Sequence, residues 1–269
     1  VIRAALRQEL GLDKPIIVQY GIWLCRAIRG NFGKSVYTQE EALKLIMDRF
    51  PATLLLSFFS MIVSIMIALP AGIISAVKRN KMADYISMTF ALFGISIPEF
   101  WFGIMLILAF SLWLRWLPSM GYVSPFEDFF GFFKYLILPA VALGLRMAAV
   151  VTRMTRSSML DELGQDYVRT ARAKGLPERT VVFLHTLKNA LIPTVTIVGL
   201  QFGTILGGTV VIEMVFSWPG LGQLIVNSIL TRDYVVVQAA IFLLAIFFLV
   251  VNLMVDFVYT LLNPRISLA

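Results

Sequence analysis

Residues 166–193 read DYVRTARAKGLPERTVVFLHTLKNALIP. Arg169, Arg172, Lys174, Arg179 and Lys188 stand here inside a 269-residue chain that is 59% hydrophobic and 14% charged. With a mean hydropathy of +0.84, the chain carries more apolar surface than one water-soluble core can hide. It therefore reads as an integral membrane protein, and this stretch as a segment held outside the bilayer. The formal net charge of +7 does not point to nucleic acid, because the basic residues alternate with long apolar blocks instead of sharing a solvated face.

On either side of this segment the chain is rich in apolar blocks, and a membrane-crossing helix needs about 20 mostly apolar residues. Five blocks meet that length, near 51–77, 84–112, 135–152, 190–215 and 236–261, with Arg146 interrupting the third. The turn 78–83 and the loop 153–188 together hold ten Lys and Arg, whereas the alternate connections 113–134 and 216–235 hold three. The positive-inside rule places the basic loops, and with them the C-terminus, in the cytoplasm. Trp113, Trp116 and Trp218 then fall at the outer ends of spans, where amphipathic rings favour the headgroup layer. Residues 1–50, with eight basic and five acidic side chains, resist this pattern. A further span upstream of residue 1 would fix them outside and bring the total to six.

Within the basic segment, Leu160, Leu163, Tyr167 and Ala171 recur at helical spacing, so 157–174 is expected as an amphipathic helix. Lys174 and Gly175 suit its C-terminus, and Pro177 with Glu178 suits the start of a second helix. Such a unit fits a solvated helix at the lipid surface. It equally fits a docking knob for a cytoplasmic partner, with Ala171, Ala173 and Gly175 as a small-residue ridge beside basic side chains.

No catalytic or metal-binding constellation is legible, since Cys25 and His185 are single and far apart. Gly30–Ser35 (GNFGKS) resembles part of a phosphate-binding loop, but Ile28 stands where the spacing requires glycine. It reads instead as a turn between two short amphipathic helices. Inside the spans, Glu99 follows Pro98 and either lines a pathway or is a paired structural carboxyl. Gly199, Gly203 and Gly207 form a smooth face for helix packing within the chain, for a partner subunit, or for the pathway. Asn252 and Asp256 are expected to anchor the last span, with Arg265 as a partner. Glu213 is expected at the outer end in headgroup water. The turn 216–222, with Trp218, Pro219 and Gly220, is either an interfacial anchor or a surface that meets an extracytoplasmic protein.

Asp166–Gly175 (DYVRTARAKG) followed by Leu187–Pro193 (LKNALIP) resembles the cytoplasmic loop of ABC importer permeases of the peptide/nickel branch. The likeness extends over nearly the whole chain. It includes Leu10–Pro15 (LGLDKP), Pro51–Leu54 (PATL), Trp116–Pro118 (WLP), Phe216–Gly222 (FSWPGLG), Arg232–Tyr234 (RDY) and Asn263–Arg265 (NPR). The resemblance implies an all-α integral membrane protein with the type I ABC importer transmembrane fold. It further implies a periplasmic segment 1–50, a permease domain 51–263 and a cytoplasmic tail 264–269, in a bacterial or archaeal inner membrane.

The same resemblance implies a non-catalytic subunit with several partners. Arg169, Thr170, Ala171, Arg172, Ala173, Lys174 and Gly175 would seat a coupling helix in one of two cytoplasmic ATPase subunits, which use ATP and Mg while this chain binds neither. A second homologous permease would complete the pathway, and an extracytoplasmic solute-binding protein would deliver the substrate. Peptides or glutathione fit better than nickel, because the chain lacks metal-binding side chains. A stand-alone secondary transporter would need inverted repeats and several intramembrane charges, which the sequence does not display.

Overall fold

The computed structural model describes residues 15–262. The tail 264–269, Arg265 as a partner for Asp256, the whole Asn263–Arg265 motif, and all of Leu10–Pro15 but Pro15 lie outside these residues. Among the described residues the regular structure is helical, apart from one isolated bridge between Lys34 and Glu41. The helices are α1 (Ile16–Ile28), α2 (Ala42–Val77), α3 (Met82–Ser96), α4 (Glu99–Leu106) and α5 (Phe129–Leu163). They continue with α6 (Asp166–Ala173), α7 (Glu178–Thr180), α8 (Leu187–Gly208), α9 (Val210–Val215), α10 (Leu221–Leu230) and α11 (Tyr234–Leu262). Widened i→i+5 turns carry α4 on through Ile107–Trp113 and join α7 to α8 through Val181–Thr186. The buried Thr186 hydroxyl donates to the Val181 carbonyl at 3.0 Å, which occupies that second widened turn.

Four helical stretches are long and apolar enough to cross a membrane, and α3 with α4 makes a fifth, bent crossing. Their directions follow from which residues meet. A Cβ on Gly144 would lie 2.7 Å from the Ser60 carbonyl, and one on Gly72 would lie 2.7 Å from the Thr155 Cβ. The near-constant offset means that α2 and α5 run parallel, and the missing side chains let them approach closely in lipid, where packing drives association. α8 runs back against them, with Ala190 near Ala76 and Val198 near Ala68. α11 turns again, placing Val255 at Gly199 and Phe248 at Gly203. The crossings therefore alternate, and the turn 78–83 and the loop around α6 share one end of the bundle. That end carries the ten basic residues.

Four expectations change. The block 84–112 is not one straight helix, because Ile97 and Pro98 are both extended and the chain bends by 104° between α3 and α4. Proline cannot donate a helical hydrogen bond, and its ring drives the preceding residue out of helical geometry. The first crossing starts earlier than residue 51. α2 begins at Ala42 and accommodates both Pro51 and Pro70 inside its length, so it is no short helix after the Gly30–Ser35 turn. The 157–174 helix is split, since α5 continues the membrane helix to Leu163 and a break at Gly164–Gln165 precedes α6. Within α6 the inward residues are Val168 and Ala171, packed with Val181 and Leu163, while Tyr167 remains exposed.

Candidate functional site

α6 and its turn project from the basic end of the bundle. Gly175 takes a φ of +76°, and its N–H donates to the Arg172 carbonyl at 2.9 Å while Leu176 N–H reaches the Ala171 carbonyl at 3.4 Å. This pair of backbone bonds closes the helix end around a left-handed residue, a conformation glycine adopts without a Cβ penalty. A Cβ at Gly175 would meet nothing within 4 Å, so the turn is open to an incoming surface. The Arg172 guanidinium spans the turn to Glu178, donating from Nε at 3.1 Å and from Nη2 at 2.6 Å. That carboxylate raises the Arg172 pKa above its ordinary value. Arg169 pairs with Asp166 at 3.3 Å. Burial, followed by the hydrogen bond to Glu162, pushes the Tyr167 phenol up, and its oxygen also accepts from Asn189 at 3.2 Å.

Of the seven residues singled out in this loop, Arg169, Thr170, Arg172, Ala173, Lys174 and Gly175 are exposed. Ala171 is buried, so it anchors the helix and does not belong to an outer ridge.

The end of the bundle from which α6 projects is held together by a group that sequence patterns did not expose. Asp84, at the start of α3, is buried and receives both Arg156 Nε at 2.7 Å and Nη2 at 2.9 Å. The Ser75 hydroxyl and the Asn80 backbone N–H complete its shell at 2.5 Å and 3.0 Å. One carboxylate thus joins the end of α2, the start of α3 and the last turns of α5. In sequence these residues merge with the many charges at the loop boundary, and nothing local marks them as partners.

The bend at Ile97–Pro98 sets Glu99 in the first turn of α4, where a carboxylate suits the positive helix end. Glu99 Oε2 accepts from Arg146 Nη1 at 3.2 Å. The two residues that interrupt otherwise apolar spans are therefore each other's partner. Glu99 is 13% exposed and Arg146 is 62% exposed.

At the other end of α5, the 216–222 turn differs from its expected surface role. Trp218 is fully buried among Tyr122, Phe132 and Phe216, and its Nε1–H donates to the Ala52 carbonyl at 2.8 Å. It reaches neither headgroups nor a protein outside, whereas Trp113 and Trp116 are exposed as expected of interfacial rings. Gly220 is buried and Pro219 half-buried, which leaves Ser217 as the exposed residue among 216–220.

Glu213 is also fully buried and not in headgroup water. Its carboxyl accepts from Thr53 Oγ1 at 2.8 Å, Thr209 Oγ1 at 2.9 Å and Gln223 N–H at 3.0 Å. A Cβ on Gly220 would stand 2.2 Å from Glu213 Oε1, so only glycine lets that oxygen lie over the start of α10. Glu213 thereby caps a helix that has no side-chain cap of its own.

Gly199 and Gly203 face α11 within the chain, at Val255 and at Asn252 and Phe248, while a Cβ at Gly207 would meet nothing within 4 Å. An apolar groove of about 390 Å³ opens between α2, α8 and α11, lined in part by Phe58, Met61, Gly199, Phe202 and Met254.

The chain matches the family described as binding-protein-dependent transport system inner membrane component over residues 68–268. The glutathione transport system permease protein GsiC of Escherichia coli K12 is 46% identical over 261 residues, which cover 97% of this chain and 83% of that protein. GsiC of Shigella flexneri serotype 5b matches with the same identity and coverage. Among solved structures, an inward-facing MetNI methionine ABC transporter superposes with a TM-score of 0.66 at 19% identity, over 82% of this chain and 97% of that one. An amino acid ABC transporter solved with histidines gives a TM-score of 0.59 at 14% identity, over 83% and 94%. The alternating, bent-helix bundle is thus the type I importer fold, and the chain belongs to the binding-protein-dependent inner membrane components, as a multi-pass permease subunit of an ABC importer.

Proposed function

We propose that this permease carries peptides or glutathione into the cytoplasm, with the energy supplied through α6. Exposure of the capped α6–Gly175 turn at the basic end of the bundle carries this reading. A short helix with both ends fixed transmits rigid-body motion, and an open glycine turn admits a close backbone approach. Arg169 to Gly175, without the inward Ala171, is the contact set for one of two cytoplasmic ATPase subunits, where ATP and Mg are used. A second, homologous permease completes the pathway, and a solute-binding protein docks at the opposite end. The basic end faces the cytoplasm, and with it the C-terminus. Glutathione transport by relatives 46% identical supports a carboxylate-bearing, peptide-like substrate over a metal.

Co-expression of the chain with a homologous permease, ATPase subunits and a solute-binding protein tests the assembly. The expected product is a complex with two ATPase copies and a second permease that imports glutathione or a short peptide into vesicles when the binding protein is supplied. Purification of this chain alone, with substrate uptake independent of ATP, would overturn the reading.

A further inference from the structure

We propose that Arg146 is the counter-charge for the carboxylate of a substrate in transit, and that Glu99 sets how tightly that carboxylate is held. The inference rests on the importer reading and adds a binding contact to it.

Arg146 does not sit at a membrane edge. It is about 10 Å along α5 from Arg153 and about 18 Å from Lys134, at 1.5 Å per residue. Charged side chains at such depth face protein or water, because lipid cannot solvate them. α5 is the most enclosed of the single-helix crossings. Even so, the exposed positions along the half that leads to α6 are Arg146, Val150, Arg153, Ser157 and Asp161. Steps of four, three, four and four residues put them on one face of the helix. A mostly polar face on an otherwise enclosed span is suited to a water-filled path.

The Glu99–Arg146 geometry favours a substrate over a partner subunit as the second ligand. Charge is already balanced from within the chain, through a single Nη1–Oε2 contact of 3.2 Å. Here the carboxylate is tucked in at 13% exposure and the guanidinium stays open at 62%, so the accessible face is cationic. The bend at Ile97–Pro98 brings the exposed Ser96, Pro98 and Phe100 to the same corner. Every peptide and glutathione carries a carboxylate, and the planar guanidinium takes one through two parallel hydrogen bonds. Glu99 competes for the same donors, which keeps the site weak enough to release what it binds. Passage requires such a balance.

The test uses the full complex in proteoliposomes, with radiolabelled glutathione and dialanine as probes. Arg146→Gln should lower uptake about tenfold and raise the ATP hydrolysed per molecule imported by a similar factor. Arg146→Lys, which keeps charge but not the fork, should recover part of the uptake. Glu99→Gln should lower both the KM for uptake and the maximal rate, because binding tightens while release slows. The double exchange Glu99→Arg with Arg146→Glu keeps an ion pair but reverses its polarity, and uptake should stay as low as in Arg146→Gln. Recovery of uptake by the exchange would make the pair structural and overturn the proposal. So would unchanged uptake in Arg146→Gln, or loss of the second permease from that variant on purification, which would place Arg146 at the subunit interface. A wild-type complex that imports neither probe overturns the substrate reading itself, before any variant is compared.

Discussion

Thr53 Oγ1 and Glu213 Oε1 lie 2.8 Å apart although 160 residues separate them in the chain. The same threonine oxygen accepts from the Leu221 backbone N–H at 2.8 Å, so one hydroxyl joins α2 to α9 and α10. Two motifs that look independent in sequence, Pro51–Leu54 and Phe216–Gly222, are one structural unit. Removing the carboxyl strands the Thr209 hydroxyl and the Gln223 N–H in a buried site. Glu213→Ala should cost about 3 kcal/mol, and Thr53→Val about 1–2 kcal/mol, with the double variant costing less than their sum. Thermal unfolding of the detergent-solubilised complex measures all three.

The two best-formed ion pairs should behave very differently. Arg172–Glu178 is exposed on both sides, and Arg172→Ala should change stability by no more than about 1 kcal/mol, an effect that high salt removes. In Asp84–Arg156 the carboxylate is buried and the guanidinium half-buried, so Asp84→Ala leaves the guanidinium without its partner and should cost about 2–3 kcal/mol. A salt series of unfolding midpoints separates the two cases.

Gly175 carries a prediction that separates stability from coupling. A Cβ there meets no neighbour within 4 Å, so the main structural cost of a valine is the left-handed backbone, about 1–2 kcal/mol. Gly175→Val should therefore insert and assemble while losing most of its substrate-dependent ATP hydrolysis in vesicles. Unchanged coupling would remove the turn from the ATPase contact.

Tryptophans at the ends of spans divide by burial. Trp218→Ala should destabilise the chain by about 3–5 kcal/mol through lost packing and the lost hydrogen bond to the Ala52 carbonyl, whereas Trp113→Ala should stay within about 1 kcal/mol. Trp218→Phe isolates the hydrogen bond and should cost about 1 kcal/mol. Unfolding midpoints rank the three variants.

Sidedness can be read with thiol reagents, since Cys25 is the single cysteine. In a Cys25→Ser background, a cysteine at Gly175 should react only when the reagent reaches the cytoplasm. A cysteine at Ser217, which is exposed beside the buried Trp218, should react from outside.

Local chemistry was the part of the fold legible in the sequence. Apolar length marked the crossings, the Lys and Arg imbalance grouped the loops at one end, and Gly175 with Pro177 announced a helix stop and start. Pro98 was read inside one continuous block, and the 104° bend there depends on how α4 lies along α5, which is tertiary information. Glu99 and Arg146 each stood out as an interruption, yet their pairing across 47 residues has no local signature. Glu213 and Asp84 were invisible as buried centres for the same reason. Both sit near span ends, where charges are ordinary, and only packing shows that water is absent. Trp218 misled because an aromatic near a span end has the same local pattern whether it faces headgroups or a core.

α5 is one unbroken helix of 35 residues, about 52 Å long, in a bilayer core of about 30 Å. It links the two faces of the bundle through one continuous helix, in which Pro139 removes one internal hydrogen bond. In the proposed coupling, the short linker at Gly164–Gln165 would hand displacement of α6 to that helix, and the Asp84 clamp would pass it sideways into α3. In the coupling proposed above, a stroke begun at α6 would carry Arg146 along with the same helix. In mechanical terms, the proposed power stroke and the proposed cargo contact would share a single shaft.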